Sequence, residues 1–268
     1  MHFPRRVLLA VLLLTSSLGW AQADQLADIR KAGVLKAAVF DSNPPFGLID
    51  PKSHDIVGYD IDFAKAIAAK IGVKLELVPT NPANRIPLLQ SGKADLIVAD
   101  ATITPERKQV IDFGIPYFVS GQQFLVPAGS SDKVADYAKA RFGAVKGTTE
   151  EQFLHATYPE ATVLAYDDIP LALTALRNGS VDVVTQDSSI LAGVLAKAPD
   201  KEKFKILPQL LTREEIGIGV KKGEAGVLAI VNDTLTELEK SGEAQKIFDT
   251  WFGPGTDAPQ KREFKIGA

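Results

Sequence analysis

The sequence predicts an α/β protein with two lobes, each a mostly parallel sheet flanked by helices. Strand-like and helical segments alternate from residue 34 to residue 100, and the alternation restarts between 141 and 198. This β-α-β order favours parallel sheets with helices on their faces. An extended run at 121–130 separates the two halves, and a third region at 215–253 follows them.

The first half contains strands that alternate with two helices. Its longer helix has apolar residues at three- and four-residue steps and ends at Gly72, which is the pattern of an amphipathic helix. In chain order, we predict a strand at 34–40, a helix at 59–72, a strand at 73–79, a helix at 84–93 and a strand at 94–100.

The second half repeats the plan of the first. The segments "LLQSGKADLIVAD" and "ALRNGSVDVVTQD" both run from a helix through glycine into an apolar strand, and they end at Asp100 and Asp187. This weak self-similarity predicts two lobes of one architecture. The predicted elements are strands at 141–147, 162–167 and 181–187 and helices at 148–158, 169–180 and 188–198.

The C-terminal region has no complete β-α-β unit, so we expect it to return to the first lobe. Its segment at 215–223 alternates like a strand, and two helical stretches follow. Two strands would then cross between the lobes as a hinge. The predicted division is a first lobe at 24–118 and 217–268, a second lobe at 119–216, and crossover strands near 117–123 and 213–219.

Residues 1–23 are predicted to be a signal peptide rather than part of the fold. A short basic start precedes an apolar core that is too short to span a bilayer comfortably, and "AQA" supplies the small residues of a cleavage site. We therefore expect cleavage after Ala23 and a mature protein in the periplasm. An uncleaved membrane anchor is the weaker alternative.

Composition excludes several classes of partner and chemistry. Without Arg5 and Arg6 the mature chain has a net charge of −5, which argues against nucleic acid or an anionic membrane as partner. The chain has no cysteine, and His54 and His155 stand alone, so we expect no metal and no other cofactor. The sequence motifs of nucleotide-binding and hydrolytic enzymes are absent, so no catalytic residue is predicted.

The stretch "ADATITPERKQVIDFGIPY" contains the strongest binding candidate. Thr104 is predicted as the N-cap of a helix and Pro105 as its first residue, which places Arg107 in the first turn. The positive end of the helix dipole favours an anion, and a guanidinium beside free amide groups makes a carboxylate site. The alternative is an exposed arginine that pairs with Glu106 or Asp112.

Polar residues stand where predicted strands of both halves end. Asp41, Asp100, Lys146 and Asp187 lie at or just past these ends. Open α/β sheets bind ligands at the carboxyl ends of their strands. The sequence therefore predicts a ligand cleft between two facing lobes that close about a hinge.

Several blocks of the sequence resemble a known family. "GYDIDFAKAIA", "ITPERKQVIDFGIPY", "KGTTEEQFL", "LRNGSVDVVTQD" and "SGEAQKIFDTWFG" are similar, in this order, to extracellular solute-binding proteins of family 3. These proteins are receptors for polar amino acids in ATP-driven importers. "NRIPLLQSGKADL" looks most like the glutamate/aspartate-binding branch. The resemblance implies the type II periplasmic-binding-protein fold.

The resemblance also implies binding roles for individual residues. Arg107 matches the arginine that grips the α-carboxylate of the ligand, and Thr102 and Thr149 match hydroxyl positions beside that carboxylate. Asp187 matches the acid that binds the α-amino group. Arg85 matches an arginine of the acidic-ligand branch and is the candidate for contacting the ligand side chain.

Other positions depart from the family pattern. Phe40 and Ile169 replace an arginine and a histidine of the acidic-ligand branch, which puts glutamate or aspartate in doubt. Asn43 stands where some relatives have an aromatic lid, so we expect Phe40 to form the cleft wall and Phe46 to lie in the core. Asp100 replaces a glycine or serine.

Alternative roles stay open for three further site candidates, and a helix cap is predicted beside Thr149. Asp187 is also placed to be only the N-cap of the helix that follows it. Asp100 has three possible roles, as a local cap, as a partner of the first-turn arginine in the empty state, or as a second acid for the ligand ammonium. Arg85 also fits a solvated helix arginine, and Thr148 and Glu151 fit a capping box.

These features predict a monomeric periplasmic receptor without catalytic activity. It is expected to capture a polar amino acid or a related zwitterion by hinged closure and to deliver it to the membrane permease of an ABC importer. One alternative is an enzyme like cyclohexadienyl dehydratase on the same scaffold, with Asp100 as a recruited proton donor. The other is a ligand-sensing receptor module.

Overall fold

A computed structural model describes residues 24–267, so the predicted signal peptide and its cleavage site lie outside the described residues. The α-helices are α1 (Gln25–Ala32), α2 (Tyr59–Ile71), α3 (Arg85–Gln90), α4 (Pro105–Val110), α5 (Thr149–Thr157), α6 (Ile169–Arg177), α7 (Ser188–Lys197), α8 (Ala225–Ser241) and α9 (Glu243–Phe252). None of these helices is both long enough and apolar enough to cross a membrane.

The β-strands are mostly short and alternate with the helices through both halves of the chain. They are β1 (Val34–Val39), β2 (Ser42–Asn43), β3 (Gly47–Ile49), β4 (Ile56–Val57), β5 (Lys74–Pro79), β6 (Leu96–Ile97), β7 (Ile111–Phe113), β8 (Phe118–Ser120), β9 (Gln122–Pro127), β10 (Arg141–Val145), β11 (Thr162–Tyr166), β12 (Val183–Asp187), β13 (Phe204–Ile206), β14 (Glu214–Ile216) and β15 (Gly219–Lys221).

The first lobe is built on a five-stranded sheet in the order β5-β1-β6-β15-β7. β1 pairs in parallel with β5 and β6, whereas β15 is antiparallel to β6 and β7. The amphipathic helix α2 buries Ile61, Ala64 and Ala68, and the chain turns out of it at Gly72 in the left-handed region. Helices α8 and α9 pack against α2, so the C-terminal region joins this lobe.

The second lobe repeats this architecture with the strand order β11-β10-β12-β9-β13. β10 pairs in parallel with β11 and β12, and β9 is antiparallel to β12 and β13. Helices α5, α6 and α7 pack on this sheet. Phe124, Phe142 and Leu154 belong to a core cluster of this lobe.

Two antiparallel strands join the lobes, since β8 pairs with β14 in the register Phe118↔Ile216 and Ser120↔Glu214. The Phe118 ring packs at 4.9 Å from the Phe46 ring and 5.0 Å from the Phe252 ring, measured between centroids. This aromatic cluster anchors one end of the crossover in the core of the first lobe. The lobe boundaries given above stay a prediction.

Two strand predictions were wrong in extent. The predicted strand at 94–100 is regular only over β6, because the chain leaves the sheet towards Asp100, which has a φ of 43°. The predicted strand at 215–223 is two strands that belong to different sheets. Gly217 lies between them and donates to the carbonyl of Ala101, so the chain steps from the hinge pair into the first sheet.

Candidate functional site

A small cavity lies between the two lobes. Six of the seven predicted site residues line it, namely Phe40, Arg85, Asp100, Thr102, Thr149 and Asp187. The seventh, Arg107, contacts both walls of the cleft. The structure therefore brings all seven residues together at the carboxyl ends of strands from both sheets, although they come from distant parts of the chain. Lys146 instead pairs with Asp167 on the exposed surface.

Arg107 lies in the first turn of α4, as the local sequence predicts. The Thr104 hydroxyl accepts a hydrogen bond from the Arg107 amide at 3.2 Å, and Pro105 is the first helical residue. The guanidinium donates to the carbonyl of Thr102 at 2.8 Å and to the carbonyl of Gly147 at 3.1 Å. Burial lowers the Arg107 pKa, against the opposing effect of nearby acids.

The alternative of an exposed Arg107 paired with an acid of its own helix is wrong. Arg107 is only 8% exposed, and Asp112 pairs with Lys222 instead. Within residues 24–267 the Arg107 guanidinium bonds only neutral carbonyls and has no counter-ion in direct contact, which is costly for a buried charge. It has five N–H donors, so it retains donors for an anion in the cleft.

Two threonines meet across the cleft. The Thr102 hydroxyl lies 3.4 Å from the Thr149 hydroxyl, and Thr149 donates to the Glu214 carboxylate at 2.8 Å. Thr148 caps α5, since its hydroxyl accepts from the Glu151 amide. The predicted capping box is only half formed, because the Glu151 carboxylate accepts from the amide of Gly147 rather than from that of Thr148.

Asp187 ends β12 and precedes α7. It occupies the N-cap position, but its side chain makes no capping hydrogen bond, so the alternative that it serves only as a cap is wrong. The residue is 3% exposed, and its Oδ1 atom makes no hydrogen bond within the described residues. Burial raises the Asp187 pKa well above its ordinary value, and the nearby Asp100 adds to this rise.

Asp100 is held in an uncommon backbone conformation, with a φ of 43° and its amide bonded to the Asp60 carboxylate at 2.9 Å. Its Oδ1 atom is buried and makes no hydrogen bond among residues 24–267. Within the described residues Thr104, not Asp100, caps the following helix, and the Arg107 guanidinium bonds the carbonyls of Thr102 and Gly147 rather than Asp100. Burial raises the Asp100 pKa to about 8, and the Asp60 charge contributes to the shift.

Arg85 and Phe40 form one side of the cavity. Arg85 is 3% exposed, so the alternative of a solvated helix arginine is wrong. Its guanidinium donates to the carbonyls of Ala99 and Asp100 at 2.7 Å and 3.1 Å and lies 5.5 Å from the centre of the Phe40 ring. Burial lowers the Arg85 pKa to about 9, and the charge of Arg107 contributes. Phe46 is fully buried in the core.

Sequence reasoning missed two acids at this site. Glu150 lines the cavity, is 2% exposed, and has an Oε1 atom without a hydrogen bond in the described region. Burial raises its pKa to about 8, with a further contribution from Asp187. Glu214 accepts hydrogen bonds from Gln122, Thr212 and Thr149. In the sequence, Glu150 is indistinguishable from a solvated acid in the first turn of a helix.

Comparison with known proteins shows the family. Residues 35–254 match the family model described as bacterial extracellular solute-binding proteins, family 3. The chain belongs to this family. The predicted family resemblance is therefore confirmed, and it covers most of the chain.

Two relatives illustrate the range of the family. The ABC transporter glutamine-binding protein GlnH of Bacillus subtilis is 36% identical to the chain over 237 residues, covering 87% of this chain and 86% of the relative. The glutamate/aspartate import solute-binding protein of Escherichia coli is 31% identical over 270 residues, covering 92% and 88%.

Solved structures confirm the type II periplasmic-binding-protein fold. The cysteine-binding protein of Campylobacter jejuni aligns with a TM-score of 0.81 at 30% identity, covering 90% of this chain and 96% of that structure. The ancestral amino acid-binding protein AncCDT-1, a precursor of cyclohexadienyl dehydratase, aligns with a TM-score of 0.78 at 34% identity, covering 86% and 100%.

Proposed function

We propose that this chain is a periplasmic receptor that closes its lobes around an α-amino acid and delivers it to the permease of an ABC importer. One observation carries the proposal. Asp100 and Asp187 line one small cavity, and each has a carboxylate oxygen without a hydrogen bond in the described residues. The buried guanidinium of Arg107 bonds the carbonyl of Thr102, which lines the same cavity. An α-amino acid offers one anion and one cation to such a site, and neither can be buried cheaply without its partner.

The α-carboxylate of the ligand is assigned to Arg107 and to the hydroxyls of Thr102 and Thr149. These groups surround one point of the cleft, because Arg107 bonds the Thr102 carbonyl and the two hydroxyls lie 3.4 Å apart. A charge-assisted hydrogen bond from a guanidinium to a carboxylate is stronger than a bond between neutral groups. The ligand carboxylate is thus the counter-ion that Arg107 lacks.

The α-ammonium of the ligand is assigned to Asp187, with Asp100 as a second acceptor. An ammonium group has three donors and needs acceptors. The Oδ1 atoms of both aspartates are buried without a hydrogen bond in the described residues. Asp187 makes no capping bond that would compete with a ligand.

Closure of the lobes completes the site, because the candidate residues are divided between them. The β8–β14 pair forms the hinge, and the contact between Thr102 and Thr149 crosses the cleft. A ligand that contacts both lobes favours the closed state by its differential affinity for that state. The names of the relatives, which bind glutamine or glutamate and aspartate, support an amino acid as the ligand class.

The proposal also includes export, partner and assembly. We infer that the signal at residues 1–23 directs the chain to the periplasm and is cleaved after Ala23. The mature protein acts as a monomer without a cofactor and without catalytic activity. Its membrane partner is the permease of an ABC importer, as the transporter names of the relatives suggest.

A second candidate is a dehydratase that uses a cleft acid as proton donor. One observation favours it, since burial raises the pKa of Asp100 and Glu150 to about 8 and so keeps a proton on them near neutral pH. A carboxylic acid with such a pKa suits general acid catalysis. The likeness to a precursor of cyclohexadienyl dehydratase adds weight, although that precursor is itself an amino acid-binding protein.

A thermal-shift screen separates the two candidates. Mature protein, unfolded and refolded to remove bound solute, is screened against the common amino acids and assayed for turnover of prephenate and arogenate. A ligand at a hundred times its Kd stabilises the folded state by about 2.7 kcal/mol, which is a clear rise in Tm. Amino-acid stabilisation without turnover supports the receptor. Turnover of either acid, or no stabilisation by any amino acid, contradicts it.

A further inference from the structure

The buried acids and arginines of the described chain form one cluster. Seven such residues are buried, and all lie in or directly behind the cleft. They are the acids Asp60, Asp100, Glu150, Asp187 and Glu214 and the arginines Arg85 and Arg107. Acids therefore exceed arginines by three. A ligand with one carboxylate and one ammonium leaves this excess unchanged, because its net charge is zero.

Not every acid of the cluster is free for a ligand. Asp60 accepts from the Tyr117 hydroxyl and from the Asp100 amide, and Glu214 accepts from three side chains, so both have partners within the protein. Three acids of the cavity wall keep an oxygen that is buried without a hydrogen bond in the described region. They are Asp100, Glu150 and Asp187.

The three oxygens belong to three different acids, and the proposed α-ammonium site uses only two of these acids. Asp187 and Asp100 are the acids assigned to the α-ammonium above. Glu150 follows Thr149, which contacts Thr102 across the cleft. Glu150 lines the cavity, and its other oxygen, Oε2, accepts from the Thr149 hydroxyl at 3.4 Å. Among the described residues that line the cavity there is no lysine, and Arg85 is bonded to two backbone carbonyls. Glu150 thus has no role in the proposed binding of the α-groups.

We propose that the ligand is an α-amino acid with a second cationic group and that Glu150 binds this group. The inference rests on the proposed function and names its substrate class. An ammonium or guanidinium group on the ligand side chain supplies the donor that the free Glu150 oxygen lacks. It also brings a positive charge into a cluster in which acids outnumber arginines.

The same charges disfavour an acidic ligand. Glutamate or aspartate would add another buried anion to a cluster that already has more acids than arginines, and like charges at short distance repel. In the sequence, Arg85 is the residue that matches an arginine of the acidic-ligand branch. Its guanidinium is bonded to the carbonyls of Ala99 and Asp100 and lies over Phe40.

Isothermal titration with matched ligands tests the inference. Refolded mature protein is titrated with arginine and with citrulline, in which a neutral ureido group replaces the guanidinium. Lysine and ornithine are compared with glutamine in the same way. We expect at least one cationic amino acid to bind about tenfold to a hundredfold more tightly than its neutral counterpart, which is the range of a buried charge-assisted hydrogen bond.

The variant Glu150→Gln tests the residue. It keeps the shape and removes the negative charge that Glu150 would carry opposite a cationic ligand, so the preference for the cationic over the neutral ligand is expected to fall about tenfold. Glu151→Gln is the matched control, because Glu151 is the neighbouring acid and bonds the Gly147 amide at 2.9 Å. This control is expected to keep the wild-type preference.

The outcomes separate this inference from the proposed function. Equal or tighter binding of citrulline and glutamine to the wild type would overturn the inference and leave the amino-acid receptor standing. An unchanged preference in folded Glu150→Gln would overturn the role of that residue. Failure of every amino acid to bind would overturn both. The wild-type ligand comparison needs no variant, so it decides the ligand class even if Glu150→Gln does not fold.

Discussion

The guanidinium of Arg107 donates a hydrogen bond to the carbonyl of Gly147 at 3.1 Å, which ties a side chain of the first lobe to the backbone of the second. The same side chain donates to the carbonyl of Thr102 in its own lobe. Arg107 therefore holds the cleft closed and is also the proposed anchor of the ligand carboxylate. Loss of this side chain is expected to weaken both closure and binding.

Replacing Arg107 with alanine is expected to abolish tight binding. Removal of one partner from a buried ion pair costs roughly 3–5 kcal/mol, which is a loss of affinity of about a hundredfold or more. Titration calorimetry measures this loss. Arg141→Ala is the control, since Arg141 pairs with Asp182 on the exposed surface, and its affinity should stay within the wild-type range. Wild-type affinity in folded Arg107→Ala would contradict the assignment.

Gly147 is expected to be required for closure. Its φ is +76°, and a Cβ atom there would lie 2.8 Å from the Ala83 Cα atom on the opposite side of the cleft. Gly147→Ala should therefore lose backbone stability, by roughly 1–2 kcal/mol, and also bind ligand more weakly. Titration calorimetry and urea unfolding measure the two effects.

Gly179→Ala is the matched control for Gly147→Ala. Its φ is +69°, but nothing lies within 4 Å of the added Cβ position. Both variants should therefore show the backbone cost, and only Gly147→Ala should show weakened binding. Equal affinities in the two variants would contradict a closure role for the contact between Gly147 and Ala83.

The ligand-free closed form is expected to open as the pH rises. In the closed form, burial raises the pKa of Asp60 to about 7 and those of Asp100 and Glu150 to about 8. Opening of the cleft is expected to hydrate the carboxyls that line it and so to lower their pKa values. The closed form then binds more protons than the open form, so its stability is greatest at low pH and is lost as the pH rises through about 8.

Small-angle X-ray scattering measures this opening. Without ligand, the radius of gyration should increase between pH 5 and pH 9, and saturating ligand should suppress the increase. The opposing charges are those of Arg85 and Arg107, which remain protonated over most of this range. A radius that stays constant or falls with rising pH in the ligand-free protein would show that these acids do not govern closure.

The hydroxyl of Tyr117 is expected to stabilise the fold beneath the cleft. It donates to the buried Asp60 carboxylate at 2.5 Å, and Asp60 in turn holds the Asp100 amide. Tyr117→Phe removes this donor from a buried acid and should cost about 1–3 kcal/mol in unfolding free energy, measured by urea denaturation. Tyr158→Phe, which loses a hydroxyl without a hydrogen bond in the described region, should cost less; an equal cost would contradict the account.

The sequence predicted most elements because hydrophobic period and helix boundaries are local features. The start of α4 illustrates this. Its N-cap is Thr104, its first residue is Pro105 and its first turn contains Arg107, as the local pattern predicts. The region at 215–223 was mispredicted because alternation looks the same in one strand and in two short strands of different sheets. The two cases differ only in which strands of the folded protein the segment pairs with.

Some of the residues that line the cleft were also predicted from local features of the sequence, and others were missed. Arg107 and Asp187 were predicted as site candidates from a helix start, a strand end and the family motifs, which are all visible along the chain. Glu150 and Glu214 were missed because nothing local separates a buried acid from an exposed one. The alternative roles of Asp100 and Arg85 could be judged only from the burial and hydrogen bonds of their side chains, which the sequence does not give.

Titration of the wild-type protein with its best amino acid and with two capped forms tests the central claim most directly. One capped form is the N-acetyl derivative and the other is the carboxamide. The account predicts binding of about micromolar affinity or tighter, near −8 kcal/mol, for the free amino acid. Each capped form should bind at least about a hundredfold more weakly, because it leaves Asp187 or Arg107 buried without a counter-ion. Equal binding of either capped form, or no binding of any amino acid, would contradict the account.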